Sequence, residues 1–264
     1  MIDAIQARVE RSRPNRELAP GGVEFARTTG VELDPWQATL LRSPKRQLIL
    51  NCSRQAGKST VSSILALHTA LYEPGALVLL LAPALRQSQE LFRKIKHAYA
   101  ALGRTAVGVR KESALELELD HGSRIVCLPG KEATIRGFSD VALLIVDEAS
   151  RVADALYYSI RPMLAVSGGR LVLLSTPFGK RGFFHKEWTE SGLDWERAEI
   201  RATQVPRIPP EWLAAERARI GDWWYRQEYG CEFLDTTDQI FSYEVVMAAL
   251  SADVEPLFGG SNNG

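Results

Sequence analysis

At 264 residues the chain can bury a large core, as one big domain or one domain with a small appendage. Apolar residues at 45% against 24% charged exclude a disordered chain, and 32 Lys+Arg against 32 Asp+Glu leave nucleic-acid binding to be argued only from a local patch. The well-separated Cys52, Cys127 and Cys231 exclude a disulfide framework or zinc site by spacing and point to a reducing compartment. No apolar run approaches the ~20 residues of a membrane helix, and the N-terminus has no apolar signal-peptide core.

Residues 1–30 are polar and Arg-bearing, broken by Pro14 and Pro20-Gly21-Gly22, and read as a loose arm with a short helix over 2–11. Asp34 or Pro35 opens a helix through Leu41. QLILNC, 47–52, is short, apolar and β-prone, as a buried strand is. Residues 58–72 then carry Val61, Ile64, Leu65, Leu67 and Leu71 at helical spacing until Glu73-Pro74-Gly75 stops the helix. ALVLLLAP, 76–83, is the continuous apolar run expected of a strand buried on both faces of a parallel sheet. A helix is expected over 85–102. Between 84 and 111 there are seven Lys/Arg against one Glu, read as a solvated face in preference to a DNA or subunit contact. LELELD and SRIVCL alternate apolar with polar around His121-Gly122, the pattern of a β-hairpin.

ALLIVDEAS, 142–150, is another buried strand, ending in two acids. A helix over 153–165 follows, and Gly168-Gly169 turns the chain into the buried strand RLVLLSTP. This succession of strands and helices is that of a doubly wound α/β sheet. Past Gly182 the pattern changes. WERAEI reads as an edge strand, PPEWLAAERARI and DWWYRQEY as helices, and CEFLD as a short strand. Together they make a small helical cap, in which Trp223 and Trp224 serve packing.

Two stretches carry chemistry. SRQAGKST, 53–60, leaves the strand at Cys52 and ends in Gly57-Lys58-Ser59, the tail of a phosphate-binding loop. A tight loop there points backbone N–H groups inward, and the following helix adds its N-terminal partial positive charge. Lys58 is placed to reach the β/γ-phosphates and the Ser59 hydroxyl to hold Mg²⁺. The first glycine of G-x-x-x-x-G-K-[ST] falls on Cys52, so the loop alone also fits an ordinary strand, turn and helix. In LLIVDE, Leu143 to Val146 run into Asp147 and Glu148 at a strand C-terminus, where open α/β sheets bind ligands. Asp147 suits Mg²⁺ held through its water shell, and Glu148 suits a group that orients or deprotonates the attacking water. Two solvated acids are the plain alternative; the acids and the loop in one α/β chain point to nucleotide hydrolysis.

On these residues the chain resembles the ATPase domain of the large terminase subunit, the DNA-packaging motor of tailed phages. Ser53-Arg54-Gln55-Ala56-Gly57-Lys58-Ser59 resembles that family's loop, S-R-Q-x-G-K-[ST], which lacks the first glycine, and Thr60 follows it. The resemblance implies a P-loop NTPase of the ASCE, RecA-like kind, α/β, with a mostly parallel sheet, helices on both faces and a small C-terminal helical lid. It implies Asp147 for Mg²⁺ and Glu148 as catalytic carboxylate. Leu174-Ser175-Thr176-Pro177 resembles the coupling motif, with Ser175 and Thr176 as its hydroxyls. Asp34-Pro35-Trp36-Gln37 resembles the adenine-recognition segment, with Gln37 for the base edge and Trp36 for stacking or packing. Arg136, in Thr134-Ile135-Arg136-Gly137, stands where such motors carry an arginine that reaches the neighbouring subunit's nucleotide. Arg54 is the second choice, acting in cis.

The implied cofactors are ATP and Mg²⁺. Double-stranded DNA, a homo-oligomeric ring (a pentamer by family habit, a monomer when isolated), the portal protein and the small terminase subunit are the implied partners, with no membrane. The implied place of action is the host cytoplasm, transiently on a procapsid. The expected organisation is an arm over 1–33, a P-loop ATPase core over 34–182, a lid over 183–250 and a linker tail over 251–264. Gln239 to Glu244 resemble the linker into the family's nuclease domain, for which 251–264 leave no room, so nuclease activity is not expected of this chain. A helicase-like ATPase would need a second RecA-like domain. A slow nucleotide-gated assembly switch would not need Glu148.

Overall fold

The computed structural model describes residues 20–103, 106–130, 137–190, 192 and 194–235. In chain order the elements are α1 Gly22–Thr28, α2 Pro35–Arg42, β1 Gln47–Cys52, α3 Lys58–Tyr72, β2 Leu77–Ala82 and α4 Leu85–Ala101. Then come β3 Val109–Glu112, β4 Glu116–Leu119, β5 Arg124–Pro129, β6 Val141–Asp147, α5 Asp154–Ile160 and β7 Arg170–Ser175. α6 Gly182–Thr189, β8 Trp195–Ile200, α7 Pro210–Ile220 and α8 Asp222–Glu228 complete them. The strands form one sheet in the order β3-β4-β5-β2-β6-β7-β1-β8. β5, β2, β6, β7, β1 and β8 pair in parallel, and among the described strands β4 alone runs the other way, pairing antiparallel with β3 on one side and β5 on the other. The expected α/β, mostly parallel sheet is the one observed, and β7 separates the loop strand β1 from the acid strand β6.

Strand side chains alternate between faces, which explains the unbroken apolar runs. Leu48, Leu50, Val78, Leu80, Ile145 and Val172 pack with Phe25, Ile64, Phe92 and Ile95 on the face of α1, α3 and α4. Ile49, Leu79, Leu81, Leu144, Val146 and Leu173 pack with Leu156, Tyr157, Phe183 and Phe184 on the face of α5 and α6. Gly169 lets β7 start against β6: a Cβ there would sit 2.0 Å from the Val141 carbonyl oxygen.

Some expectations need correction. The segment read as a loose arm contains α1, which buries Phe25 and Ala26 and ends where the Thr28 and Thr29 hydroxyls donate to the Phe25 and Ala26 carbonyls. The helix expected over 153–165 stops at Ile160 and continues as a 3₁₀ turn, Arg161–Leu164, because Pro162 has no N–H to donate to the α ladder. CEFLD forms no strand. Cys231 has φ 61°, and its carbonyl accepts from the Asn51 side chain, Nδ2, at 2.7 Å instead of joining a backbone ladder. WERAEI, by contrast, forms the edge strand expected of it, β8, paired parallel with β1. On the basic run of α4, Arg93 pairs with Glu90 and Lys96 with Glu112.

Candidate active site

β1, β7 and β6 end side by side. The register sets Leu50 level with Leu174 and Leu174 level with Asp147, and sets Asn51 level with Ser175. Chain leaving these three strands therefore converges on one point, and the loop 53–57 covers it from the β1 side.

The loop turns through Gln55 at φ 59° and Gly57 at φ 95° before α3 begins at Lys58. Only glycine meets left-handed backbone without strain. Neighbouring segments hold the loop by its backbone. Ser53 N donates to the Ile200 carbonyl at 2.8 Å, and Arg54 N to the Glu228 carbonyl at 2.9 Å. The carbonyls of Ala56 and Gly57 accept from Arg207 Nη2 at 3.2 Å and Gln37 Nε2 at 3.1 Å.

Lys58 is buried, and its ammonium donates to the Ser53 carbonyl at 3.3 Å and to Thr176 Oγ1 at 3.2 Å. It also lies 3.6 Å from Glu148 Oε1. The lysine of the loop, the carboxylate after β6 and the hydroxyl after β7 thus meet at one ammonium. Glu148 sits at φ 50°, turning the chain off the strand into a 3₁₀ turn, Ala149–Arg151. That turn is tied to β7. Ser150 N donates to Ser175 Oγ at 3.1 Å, the two hydroxyls are 2.7 Å apart, and Ser150 Oγ donates to the Thr176 carbonyl at 2.8 Å.

Burial pushes the Asp147 carboxyl up to about 6, with the adjoining Glu148 charge adding to the rise and Lys58 opposing it. A cation would reverse this by favouring the ionised form. The Ser59 hydroxyl at the start of α3 and the Asp147 carboxylate are hard oxygen donors that fit Mg²⁺. Among the described residues no cluster of three or more His, Cys, Asp or Glu could hold a metal alone. Mg²⁺ there would be shared with phosphate oxygens and water.

The structure thus brings together Ser53, Ala56, Gly57, Lys58, Ser59, Asp147, Glu148, Ser175 and Thr176, with Gln37 behind the loop. Trp36 packs against the core, the packing alternative of its reading. Thr60 lines a different cavity, between α3 and α4, with Ser63, Arg93 and Lys94. Arg54 is half-exposed and pairs with Glu228 at the end of α8, a pairing that raises the Arg54 pKa. Arg136 and the segment Gln239 to Glu244 lie outside the described residues. Beside the loop, Gln55, Arg207, Ile208, Pro209, Trp212 and Tyr229 line a cavity of about 350 Å³. Sequence reasoning missed Arg207, Glu228 and Tyr229. They lie about 150 or more positions from the loop and belong to no local motif.

The family model that matches, over residues 49–246, is the N-terminal part of the terminase large subunit, T4likevirus-type. The terminase large subunit of Thermus phage G20c is 26% identical over 254 residues, covering 83% of this chain and 52% of the relative. The chain thus spans about half the length of the curated relatives it matches. The large terminase ATPase domain of Thermus phage P74-26 superposes with a TM-score of 0.72 at 23% identity, covering 80% of this chain and 98% of that one. The large terminase of another thermophilic bacteriophage, solved in complex with ADP, has a TM-score of 0.64 at 15% identity, covering 76% of this chain and 54% of that one.

Proposed function

The chain belongs to the large terminase subunit family, T4likevirus-type, N-terminal, and from that premise we propose that it hydrolyses ATP with Mg²⁺ to drive double-stranded viral DNA into a procapsid. The observation that carries the reading is the convergence on Lys58 Nζ, 3.2 Å from Thr176 Oγ1 and 3.6 Å from Glu148 Oε1. The resemblance in fold to a terminase solved with ADP supports it.

In this reading the γ-phosphate enters between Lys58 and Glu148, while the base takes the cavity beside the loop. Lys58 and the inward N–H groups of the loop bind the phosphates and orient them for in-line attack. Phosphate oxygens compete with Glu148 for the Lys58 ammonium, which releases the carboxylate to orient a water and accept its proton. The Ser59 hydroxyl and, through water, the Asp147 carboxylate would hold Mg²⁺, which when bound would supply charge neutralisation to the phosphates. The hydrogen bonds from Ser150 to Ser175 and Thr176 hold the Glu148 turn and the end of β7 as one unit. A shift at the γ-phosphate is thereby passed to β7, the coupling role assigned to Ser175 and Thr176.

Residues 34–182 act as the ATPase core and 183–250 as the lid, with β8 lent to the core sheet. Arg136 serves a neighbouring subunit in a ring docked on the portal, with the small terminase subunit as the other partner, in the host cytoplasm. Arg54 would first have to leave Glu228 before acting in cis. The test is phosphate release from Mg·ATP by the purified chain, with and without duplex DNA. Turnover, raised when the chain assembles on DNA or portal, is expected; absence of ATP binding by calorimetry under all these conditions sinks the reading.

A further inference from the structure

We propose that Arg207 is a positioning residue for the phosphate loop: its guanidinium bridges Asp34 and the Ala56 carbonyl, and so sets the loop geometry that receives ATP. The inference rests on the ATP reading above and adds a residue that no motif of the sequence marks.

Four contacts form a closed ring. Arg207 pairs with Asp34 Oδ1, and Arg207 Nη2 donates to the Ala56 carbonyl at 3.2 Å. Asp34 N donates to Gln37 Oε1 at 2.8 Å, and Gln37 Nε2 donates to the Gly57 carbonyl at 3.1 Å. Two consecutive loop carbonyls are thereby held on the outer side of the loop. Peptide planarity couples each carbonyl to the next N–H, so fixing the carbonyls of Ala56 and Gly57 turns the N–H groups of Gly57 and Lys58 the other way, toward the phosphates. The fit is close: a Cβ on Gly57 would meet Gln37 Nε2 at 2.6 Å and Arg207 Nη2 at 3.2 Å.

Asp34 is buried, and its second oxygen, Oδ2, has no partner among the described residues. The carboxylate charge is therefore carried by Arg207. Arg207 itself is half-exposed and lines the cavity beside the loop with Gln55 and Tyr229, so the same guanidinium also borders the space assigned to the base. A planar guanidinium can serve two acceptors at once; a lysine ammonium on a single stem cannot reproduce that fork.

The experiment measures Mg·ATP affinity by calorimetry, steady-state turnover, and unfolding temperature without nucleotide, for the parent, Arg207→Lys and Arg207→Ala. Arg207→Lys keeps the charge beside Asp34. It should hold the unfolding temperature near the parent's and weaken ATP about tenfold, the worth of one lost charge-assisted hydrogen bond. Loop contacts to phosphate exist in ground and transition states alike, so the loss falls on KM, with kcat at saturating ATP within about twofold. Arg207→Ala should lose at least as much affinity; if it does not fold, Arg207→Lys decides alone. Parental affinity in Arg207→Lys overturns the bridge. A parent that does not bind ATP overturns both this inference and the reading beneath it.

Discussion

Asp147→Asn should make the chain more stable while removing its ability to use Mg·ATP. The carboxyl is buried, and burial lifts its pKa from the ordinary 3.8 to about 6. At 1.36 kcal/mol per tenfold, holding it ionised at pH 7 costs the folded chain about 3 kcal/mol. The sign follows from proton binding. Between pH 4 and 6 the folded chain keeps a proton that the unfolded chain has lost, so stability falls as pH rises through that window. Below pH 4 both forms are protonated and the penalty vanishes. An amide of the same shape can still accept from Glu148 N, which the carboxylate oxygen Oδ1 now does at 3.1 Å. Differential scanning calorimetry at pH 7 without Mg²⁺ should then show Asp147→Asn unfolding several degrees above the parent, at roughly 2–4 °C per kcal/mol for a chain of this size. The gap should close toward pH 4. A variant no more stable than the parent at pH 7, or a gap independent of pH, refutes the reasoning.

Lys58→Ala should abolish ATP binding by calorimetry, because the phosphate charge loses its buried ammonium. Gly169→Ala should destabilise the sheet by about 2–4 kcal/mol in urea unfolding, since the new methyl meets backbone that cannot move aside; the Val141 carbonyl would be 2.0 Å away. Arg136→Ala should keep nucleotide binding and lose turnover only in the assembled state. An arginine arriving in the transition state is worth ~10³–10⁵ in rate. Mixing Arg136→Ala with Glu148→Gln in one ring should restore part of the activity, and background turnover in a confirmed mixed assembly would return the role to Arg54.

How much of this is legible depends on distance along the chain. The strands 47–52, 76–83 and 142–147 show themselves because burial on both faces leaves no polar alternation, and the acids at 147 and 148 stand out against that run. α1 stays hidden because its seven residues offer too few turns for periodicity, and the glycines before it suggest a loop. CEFLD has the composition of a strand, but β1 already has a partner on each side, and the left-handed Cys231 gives its carbonyl to the Asn51 side chain. For Trp36 the sequence leaves stacking on a base and packing both open; neighbours in a helix point about 100° apart, so Gln37 meets the loop while Trp36 meets the core. Arg207 and Glu228 meet Asp34 and Arg54 across more than 170 positions, and only folding reveals such pairs.

The central claim is that Glu148 is the carboxylate that activates water at a site where Lys58 binds the phosphates. Glu148→Gln removes the base while leaving Lys58, Ser59 and Asp147 in place. Calorimetry and single-turnover phosphate release on this one variant test the claim most directly. The expected result is Mg·ATP binding within a few-fold of the parent, with the phosphate-release rate lower by about 10²–10⁴, the range for losing a general base. Parental turnover in Glu148→Gln, or loss of binding in a chain that folds, would contradict it.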